Sequence, residues 1–453
     1  MGKITLRQAA QWCGGRVDPK FAEIEFLGAN MDSRNIQPGQ LFVALEGVRD
    51  GHDFIPMALQ KGAAAVLCKY CDADVPGIIV DDPRIALGQI AAGERQRLGM
   101  KVVGVTGSVG KSTTKELIAC VLEGKYKVAK TPANFNNDIG MPMAILSMAE
   151  DTQVAVLEMG MNHFREIAYL TNISRPDVGV IINIGTMHIE HLGSQEGILK
   201  AKLEIAEGMD ATAPLILNGD DAFLRRAPEL VKQSITYFGW HNDDAQLVAE
   251  DVNQTSELLS FRVEDGVNPF RVELPLEGEH FVLDAMAAIS VGLALDVDRE
   301  TIRDQLLNFR NLAGRQETLE AKGCTIIKDC YNAGPESMAA SLRVLGKKPG
   351  RRIAVLGDML ELGVRASAEH YRVGRIAAEN ADYVFAYGPY ADRVVSGAVT
   401  GGMSVAAVAN FDDQEQLYTE LKRIVKPGDI LLFKGSHGMH MERILEMFLK
   451  DDT

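Results

Sequence analysis

The 453-residue chain has no apolar run long enough to cross a bilayer. "VGVIINIG" is far short of the roughly 20 residues a spanning helix needs. The first residues, "MGKITLRQAAQWCGG", lack the apolar core of a secretory signal, and Leu6 stands where a myristoylation signal needs Ser or Thr. A cytoplasmic protein without membrane insertion is expected. Positive charge is in deficit: 47 Lys and Arg against 62 Asp and Glu leave a net charge of −15. Such a surface repels nucleic-acid phosphates, so no nucleic-acid partner is expected. A small anionic ligand stays open, because local basic groups can outweigh the global sign. Cysteines are few and scattered, at Cys13, Cys68, Cys71, Cys120, Cys324 and Cys330. Cys68 and Cys71 form one C-x-x-C with no second pair at zinc spacing, so reduced thiols are expected rather than a metal or redox centre. Fixed-period repeats and low-complexity tracts are also missing.

What is present is the composition of an ordinary globular enzyme, 46% hydrophobic and 24% charged. At about 100–200 residues per domain, the length suggests two to four domains. Three zones can be read. Up to about residue 99, short apolar runs such as "QLFVALEG" alternate with turn signals, and "DFIPMALQKGAAAVLC" reads as a helix running into a strand. From "KVVGVTG" onward, "QVAVLEMG", "DVGVIINIG", "PLILNGDD" and "SITYFGW" read as strands between helical stretches, with a helical region at about 279–309. This predicts a mostly parallel sheet covered on both faces. From about "NLAGRQE" the alternation starts again through "CTIIKDC", "RRIAVLGDM", "DYVFAYG" and "DILLFKGSHG". The expected boundaries are 1–99, 100–312 and 313–453.

The chemistry concentrates where strands end, since ligands of open α/β sheets bind beyond the carboxyl ends. "GVTGSVGKST" follows the first strand of the second zone and opens a helix with Leu117, Ile118, Val121 and Leu122 on one face and Gly124 at its stop. The stretch misses the usual G-x-x-x-x-G-K-[ST] spelling, because Val105 stands where the first glycine belongs. The order of strand, glycine loop, lysine, hydroxyl and helix still suits a phosphate. Thr106, Gly107, Ser108, Val109 and Gly110 form the loop, Lys111 can reach the outer phosphates, and Ser112 and Thr113 supply hydroxyls. Glu158 ends the strand "VAVLE" and suits magnesium, or alternatively caps the turn at Gly160. His188 lies in "TMHIEHLG" with an open role. Lys202 reads on spacing alone as a solvated helix lysine. Asn134, Asn136 and Asn137 crowd one loop that is either turn chemistry or a polar-ligand contact.

The shortened loop T-G-S-x-G-K-[ST] resembles that of the Mur ligase family, which shares it with folylpolyglutamate synthetases. Further stretches extend the resemblance over nearly the whole chain: "DSRNIQPGQLFVALEGVRDGHDF", "NFNNDIGMP", "LEMGMNHFREI", "HIEHLGSQEGILKAKLEI", "GRQE", "DCYNAGPESM", "GDMLELG" and "KGSHGMHME". The combination of "NNDIG", "YNAGPESM" and "GDMLELG" is similar to the branch that joins D-alanyl-D-alanine to a UDP-N-acetylmuramoyl tripeptide. The resemblance implies a small N-terminal α/β domain for the uridine nucleotide, a central P-loop domain with a mostly parallel sheet, and a C-terminal Rossmann-like domain, in a monomer. It implies MgATP and an acyl-phosphate intermediate. Lys111 would grip the β and γ phosphates. Ser112 and Glu158 would hold one Mg²⁺, and His188 with a carbamylated Lys202 a second. Arg315 and Asp329 would reach the nucleotide, Asn332 would lie in the same loop, and Ser33 and Arg34 would meet the uridine diphosphate. Two positions depart from the family pattern. Asp284 replaces the Asn that meets adenine, and His437 replaces the Arg of K-G-S-R. Alternatives are a sister ligase adding the third residue, a folylpolyglutamate synthetase, or an ATP-switched binding protein.

Overall fold

The computed structural model describes residues 3–242, 244–255, 258–312 and 314–450. Ala313, where the third zone is expected to begin, lies outside the described residues. After a two-stranded antiparallel pair, Ile4–Thr5 with Glu25–Phe26, the next strands form a four-stranded parallel sheet in the order Ala29–Asn30, Leu41–Val43, Ala65–Cys68 and Gly77–Ile79. "DFIPMALQKGAAAVLC" does run from a helix, Ile55–Gln60, into the strand Ala65–Cys68. The helix Pro83–Leu98 then leads into the centre. Its start is set by Asp82, which accepts from the N–H groups of Arg84 and Ile85, with proline at the first position. Gly99 stops it in the left-handed conformation, φ 63.

The central sheet has nine strands. From one edge these are Val128–Lys130, Val154–Glu158, Lys101–Thr106, Val178–Ile181, Pro214–Asn218, Ser234–Gly239, Leu247–Gln254, Leu259–Glu264 and Phe270–Leu274. The first seven run parallel, and the last two pairings are antiparallel. Lys101–Thr106 therefore has a neighbour from later in the chain on each side, and its carboxyl end opens at a topological switch point. Alternation of its side chains sends Val102 to one face and Val103 and Val105 to the other. Val102 joins Leu87, Ile90, Leu157 and Ile167 in one core. Val103 and Val105 pack against Leu117, Ile118, Val121 and Leu122 of the helix Lys111–Glu123, and against Met286 and Ile289. All four helix residues are fully buried, each worth about 1.5–3 kcal/mol. This anchoring holds the loop 107–110 rigidly between strand and helix.

The expected helical region at about 279–309 is two helices, Phe281–Ala294 and Arg299–Leu307. The chain breaks at Asp296, φ 57, and Asp298 caps the second helix through the Thr301 N–H. The apolar period continues across this break, so periodicity alone hides it. Gly124 does end the helix Lys111–Glu123, but with a right-handed φ of −66.

The C-terminal sheet has six strands, ordered Glu317–Ala321, Cys324–Asp329, Ile430–Lys434, Arg352–Gly357, Tyr383–Tyr387 and Val408–Phe411. Only the first pairing is antiparallel. One core under the helices Pro335–Gly346, Ala366–Asn380 and Ala391–Thr400 covers one face, and another under Gln414–Ile424 and Met441–Lys450 covers the other. Among the described residues no helix is long and apolar enough to cross a membrane.

Candidate active site

A cleft of about 870 Å³ opens where the carboxyl ends of the central sheet meet those of the C-terminal sheet. The phosphate loop forms its floor. Gly110 precedes the helix Lys111–Glu123 with φ 87, and no side chain caps that end. The first helical N–H groups are thus left for a ligand, and the helix dipole favours an anion there. Gly110 also has no room for a side chain, because a Cβ would lie 2.7 Å from Asp284 Oδ1. The outer half of the loop is already tied. Ser108 and Val109 donate their N–H groups to Asn183 Oδ1 at 3.0 and 2.9 Å, and Asn183 Nδ2 donates to Val109 O at 2.9 Å. Asn183 follows the strand Val178–Ile181 and fixes the loop's shape. Lys111 Nζ folds back onto the loop carbonyls of Gly107 and Ser108, at 2.8 and 3.2 Å. Burial lowers the pKa of this amine, and the Arg315 charge adds to that against the pull of Glu158 and Glu361.

Beside the loop, Ser112 Oγ donates to Glu158 Oε2 at 2.6 Å, and Asn136 Nδ2 donates to Glu158 Oε1 at 2.9 Å. Arg315, from the far domain, donates through Nη2 to Ser112 Oγ at 2.8 Å. Its guanidinium lies 4.2 Å from the centre of the Tyr331 ring, a cation–π contact that holds it over the loop. Hydroxyl and carboxylate oxygens in contact are hard donors of the kind Mg²⁺ takes. No cluster of three or more His, Cys, Asp or Glu suited to a metal occurs among the described residues. The protein alone therefore offers an open pair of ligands, which fits an ion completed by phosphate oxygens and water rather than a closed cage.

Asp284 is buried behind Gly110, where it accepts from Thr114 Oγ1 at 3.0 Å. Burial raises its pKa to about 7. An acid whose folded pKa is raised binds more protons in the native state. Stability is then greatest below the unfolded pKa and is lost as pH rises toward about 7, by on the order of 3 kcal/mol or more. Asp284→Asn keeps the shape and the Thr114 bond but cannot ionise. Thermal melting should place the variant a few degrees above wild type at about pH 8 and by less at about pH 5. Equal differences at both values would contradict the assignment.

On the other side of the loop, His188 precedes a short helix, Ile189–Leu192, with φ 62. Its Nδ1 lies 2.7 Å from Glu361 Oε2 of the C-terminal domain. The two groups are thus at ion-pair distance across the domain gap. The His188 contact holds the Glu361 carboxyl below its ordinary range. Lys202, on the helix Gln195–Leu203, is 1% exposed. Its amine has no hydrogen-bond or ion-pair partner among the described residues. Burial first, and then the Lys111 charge, push its pKa well below that of an ordinary lysine. It therefore differs from the solvated lysine that spacing alone suggests.

The cleft brings together Ser108 to Thr113, Asn136, Asn137, Glu158, His188, Asp284, Arg315, Asp329 and Asn332. Asp329 is bonded to Lys434 Nζ and Ser341 Oγ, both at 2.6 Å. Burial opposes its ionisation, but these partners outweigh that and hold its carboxyl below the usual range. Thr106, Gly107, Asn134 and Lys202 do not line the cleft. Thr106 Oγ1 instead donates to Met159 O at 2.9 Å. Ser33 and Arg34 lie in the N-terminal domain, away from the loop. Ser33 is buried, and Arg34 is exposed and paired with Asp32 at 2.8 Å. Asn183, Glu361, Tyr331, Glu336 and Lys434 carry the site's geometry without having been singled out in the sequence. Glu361, Tyr331, Glu336 and Lys434 did fall inside quoted motifs.

The parallel sheet, the uncapped loop at its switch point and the carboxylate on the next strand define a P-loop α/β protein with a second α/β domain reaching over the phosphate edge. Models of the Mur ligase family, catalytic domain, the Mur ligase middle domain and the Mur ligase, glutamate ligase domain match residues 23–95, 105–292 and 314–437. The chain is 38% identical to the UDP-N-acetylmuramoyl-tripeptide--D-alanyl-D-alanine ligase of Bacillus subtilis (strain 168), over 98% of each chain. It is similar to the crystal structure of MurF from Acinetobacter baumannii, with a TM-score of 0.92, 31% identity and 100% of both chains covered. It is similar also to MurF ligase from Thermotoga maritima in complex with ADP, with a TM-score of 0.82 and 32% identity over 94% of this chain and 97% of that one. The chain belongs to the Mur ligase family.

Proposed function

We infer that the protein is an ATP-dependent ligase that joins D-alanyl-D-alanine to a UDP-N-acetylmuramoyl tripeptide in peptidoglycan precursor synthesis. The observation that carries the reading is the full-length similarity to ligases named for this reaction. The converging cleft supports it. ATP is a substrate here: its phosphates lie against the uncapped helix start, with Lys111 swung from Gly107 and Ser108 onto the β and γ oxygens. The terminal carboxylate of the tripeptide attacks the γ-phosphorus, ADP leaves, and an acyl phosphate remains. The dipeptide amine then attacks the acyl carbon and phosphate leaves. The protein's part is to position the reactants and neutralise charge. Arg315 and Asp329 bring the C-terminal domain onto the nucleotide. Asn136, Asn137 and Asn332 contact the peptide substrates, and Ser33 and Arg34 the uridine diphosphate.

Ser112 and Glu158 would hold one Mg²⁺, and His188 with carbamylated Lys202 a second. Bound there, the ions would neutralise phosphate charge and align the reacting oxygens. Asp284 still accepts a hydrogen bond from the adenine amino group, and when protonated it also donates. The domains are assigned as 1–99 for the UDP substrate, 100–312 for ATP and 313–453 for closure and ligation, in a cytoplasmic monomer. The test is whether phosphate release needs both the tripeptide and the dipeptide. A switch protein would turn over ATP without them.

A further inference from the structure

Five buried side-chain polar atoms among the described residues have no hydrogen-bond partner, and four of them line the cleft: Tyr169 Oη, Gln316 Oε1, Glu336 Oε2 and His188 Nδ1, the last already ion-paired with Glu361. Buried polar atoms are nearly always paired, so three partnerless oxygens gathered round one cavity point to a ligand that satisfies them. Glu336 is the one carboxylate of the four. It stands in the first turn of the helix Pro335–Gly346. Its Oε1 accepts from Thr186 Oγ1 at 3.1 Å, which fixes the group across the gap between the two domains. Its carboxyl carbon lies against Gly185, where a Cβ would be 3.3 Å from Glu336 Cδ and 3.1 Å from Ser108 Cβ. The free oxygen is thus held beside the shoulder of the phosphate loop with no cation paired to it among the described residues.

A carboxylate there repels ATP and the carboxylate of the tripeptide. The reactant that suits it is a cation rich in donors. We propose that Glu336 is a catalytic residue whose free Oε2 receives the ammonium of the incoming dipeptide and takes one of its protons. This rests on the ligase reading above. The ammonium gives one proton to Glu336 and becomes a neutral amine. The amine lone pair forms the C–N bond, the bond from the acyl carbon to the phosphate oxygen breaks, and the phosphate leaves with that electron pair and a second proton from nitrogen. Thr186 is the positioning residue, since it holds the other carboxylate oxygen.

The test is Glu336→Gln, which keeps size and the Thr186 acceptor but removes the base. Ligation of D-alanyl-D-alanine should fall by about 10²-fold or more. KM for the dipeptide should rise and KM for the UDP-tripeptide should not. Hydroxylamine, which arrives as a neutral amine, should trap the acyl phosphate as a hydroxamate at the wild-type rate. Glu336→Asp, with the carboxylate kept but drawn back, should lose dipeptide ligation in part and hydroxamate formation not at all, and it carries the test if the Gln variant does not fold. Unchanged dipeptide ligation in a folded Gln variant overturns the proposal. So does an equal fall of dipeptide and hydroxylamine reactions, or a rise in KM confined to the UDP-tripeptide. A wild-type protein that makes hydroxamate but never ligates the dipeptide overturns the ligase reading along with it.

Discussion

Lys111→Ala should reduce ligation by at least about 10²–10³-fold, the loss seen when a group that stabilises transition-state charge is removed. The strand–loop–helix element leaves this one lysine beside the uncapped helix start. Among the described residues its Nζ is bonded only to Gly107 O and Ser108 O of its own loop. Those contacts serve the resting position and bind no other element, so removing them should leave the melting temperature almost unchanged. Steady-state kinetics and thermal melting on the same preparation check this. Near-normal activity in a variant that melts like wild type would remove Lys111 from the chemistry.

The second large effect is expected at Lys202. Burial and the Lys111 charge both disfavour the charged form of this amine, and the neutral form is the one that adds CO₂. The addition releases one proton and leaves a carbamate, whose two oxygens suit a hard cation. An ordinary ammonium at this place would face the Lys111 charge with no ion-pair partner among the described residues to offset it. Lys202→Ala should lose activity by on the order of 10²-fold, because the proposed metal ligand is removed. Formate should restore part of it by filling the empty oxygen positions. Wild type incubated with carbon-13 bicarbonate should show a carbamate resonance that the variant lacks. Full activity in Lys202→Ala, with no labelled resonance in wild type, would return Lys202 to a structural role.

The phosphate loop was legible because its information is local. A buried strand, glycines, a lysine and a helical stripe follow one another within twenty residues. Glu158 was legible as a strand end. Asn183 was not, because its role depends on two N–H groups that come from another strand–helix connection, 74 and 75 residues earlier. Arg315 meets Ser112 over a separation of 203 residues, and only the motif resemblance anticipated that it comes near the loop. Glu336 and Glu361 lay inside quoted motifs, but their side chains take meaning only from Thr186 and His188 across the domain gap. Lys202 shows the limit most sharply. Its spacing gives a surface lysine, and only tertiary packing buries it. The break at Asp296 was hidden for the opposite reason, since the apolar pattern persists while the backbone turns.

The central claim is an acyl phosphate formed from the tripeptide, and an isotope tests it most directly. The UDP-tripeptide is labelled with oxygen-18 in its terminal carboxylate and incubated with MgATP, with and without D-alanyl-D-alanine, and the released phosphate and the peptide product are weighed by mass spectrometry. The account predicts phosphate release above background only when the dipeptide is present, one labelled oxygen in that phosphate, and one amide bond formed per ATP consumed. Unlabelled phosphate released at the same rate with or without the two peptide substrates would contradict it.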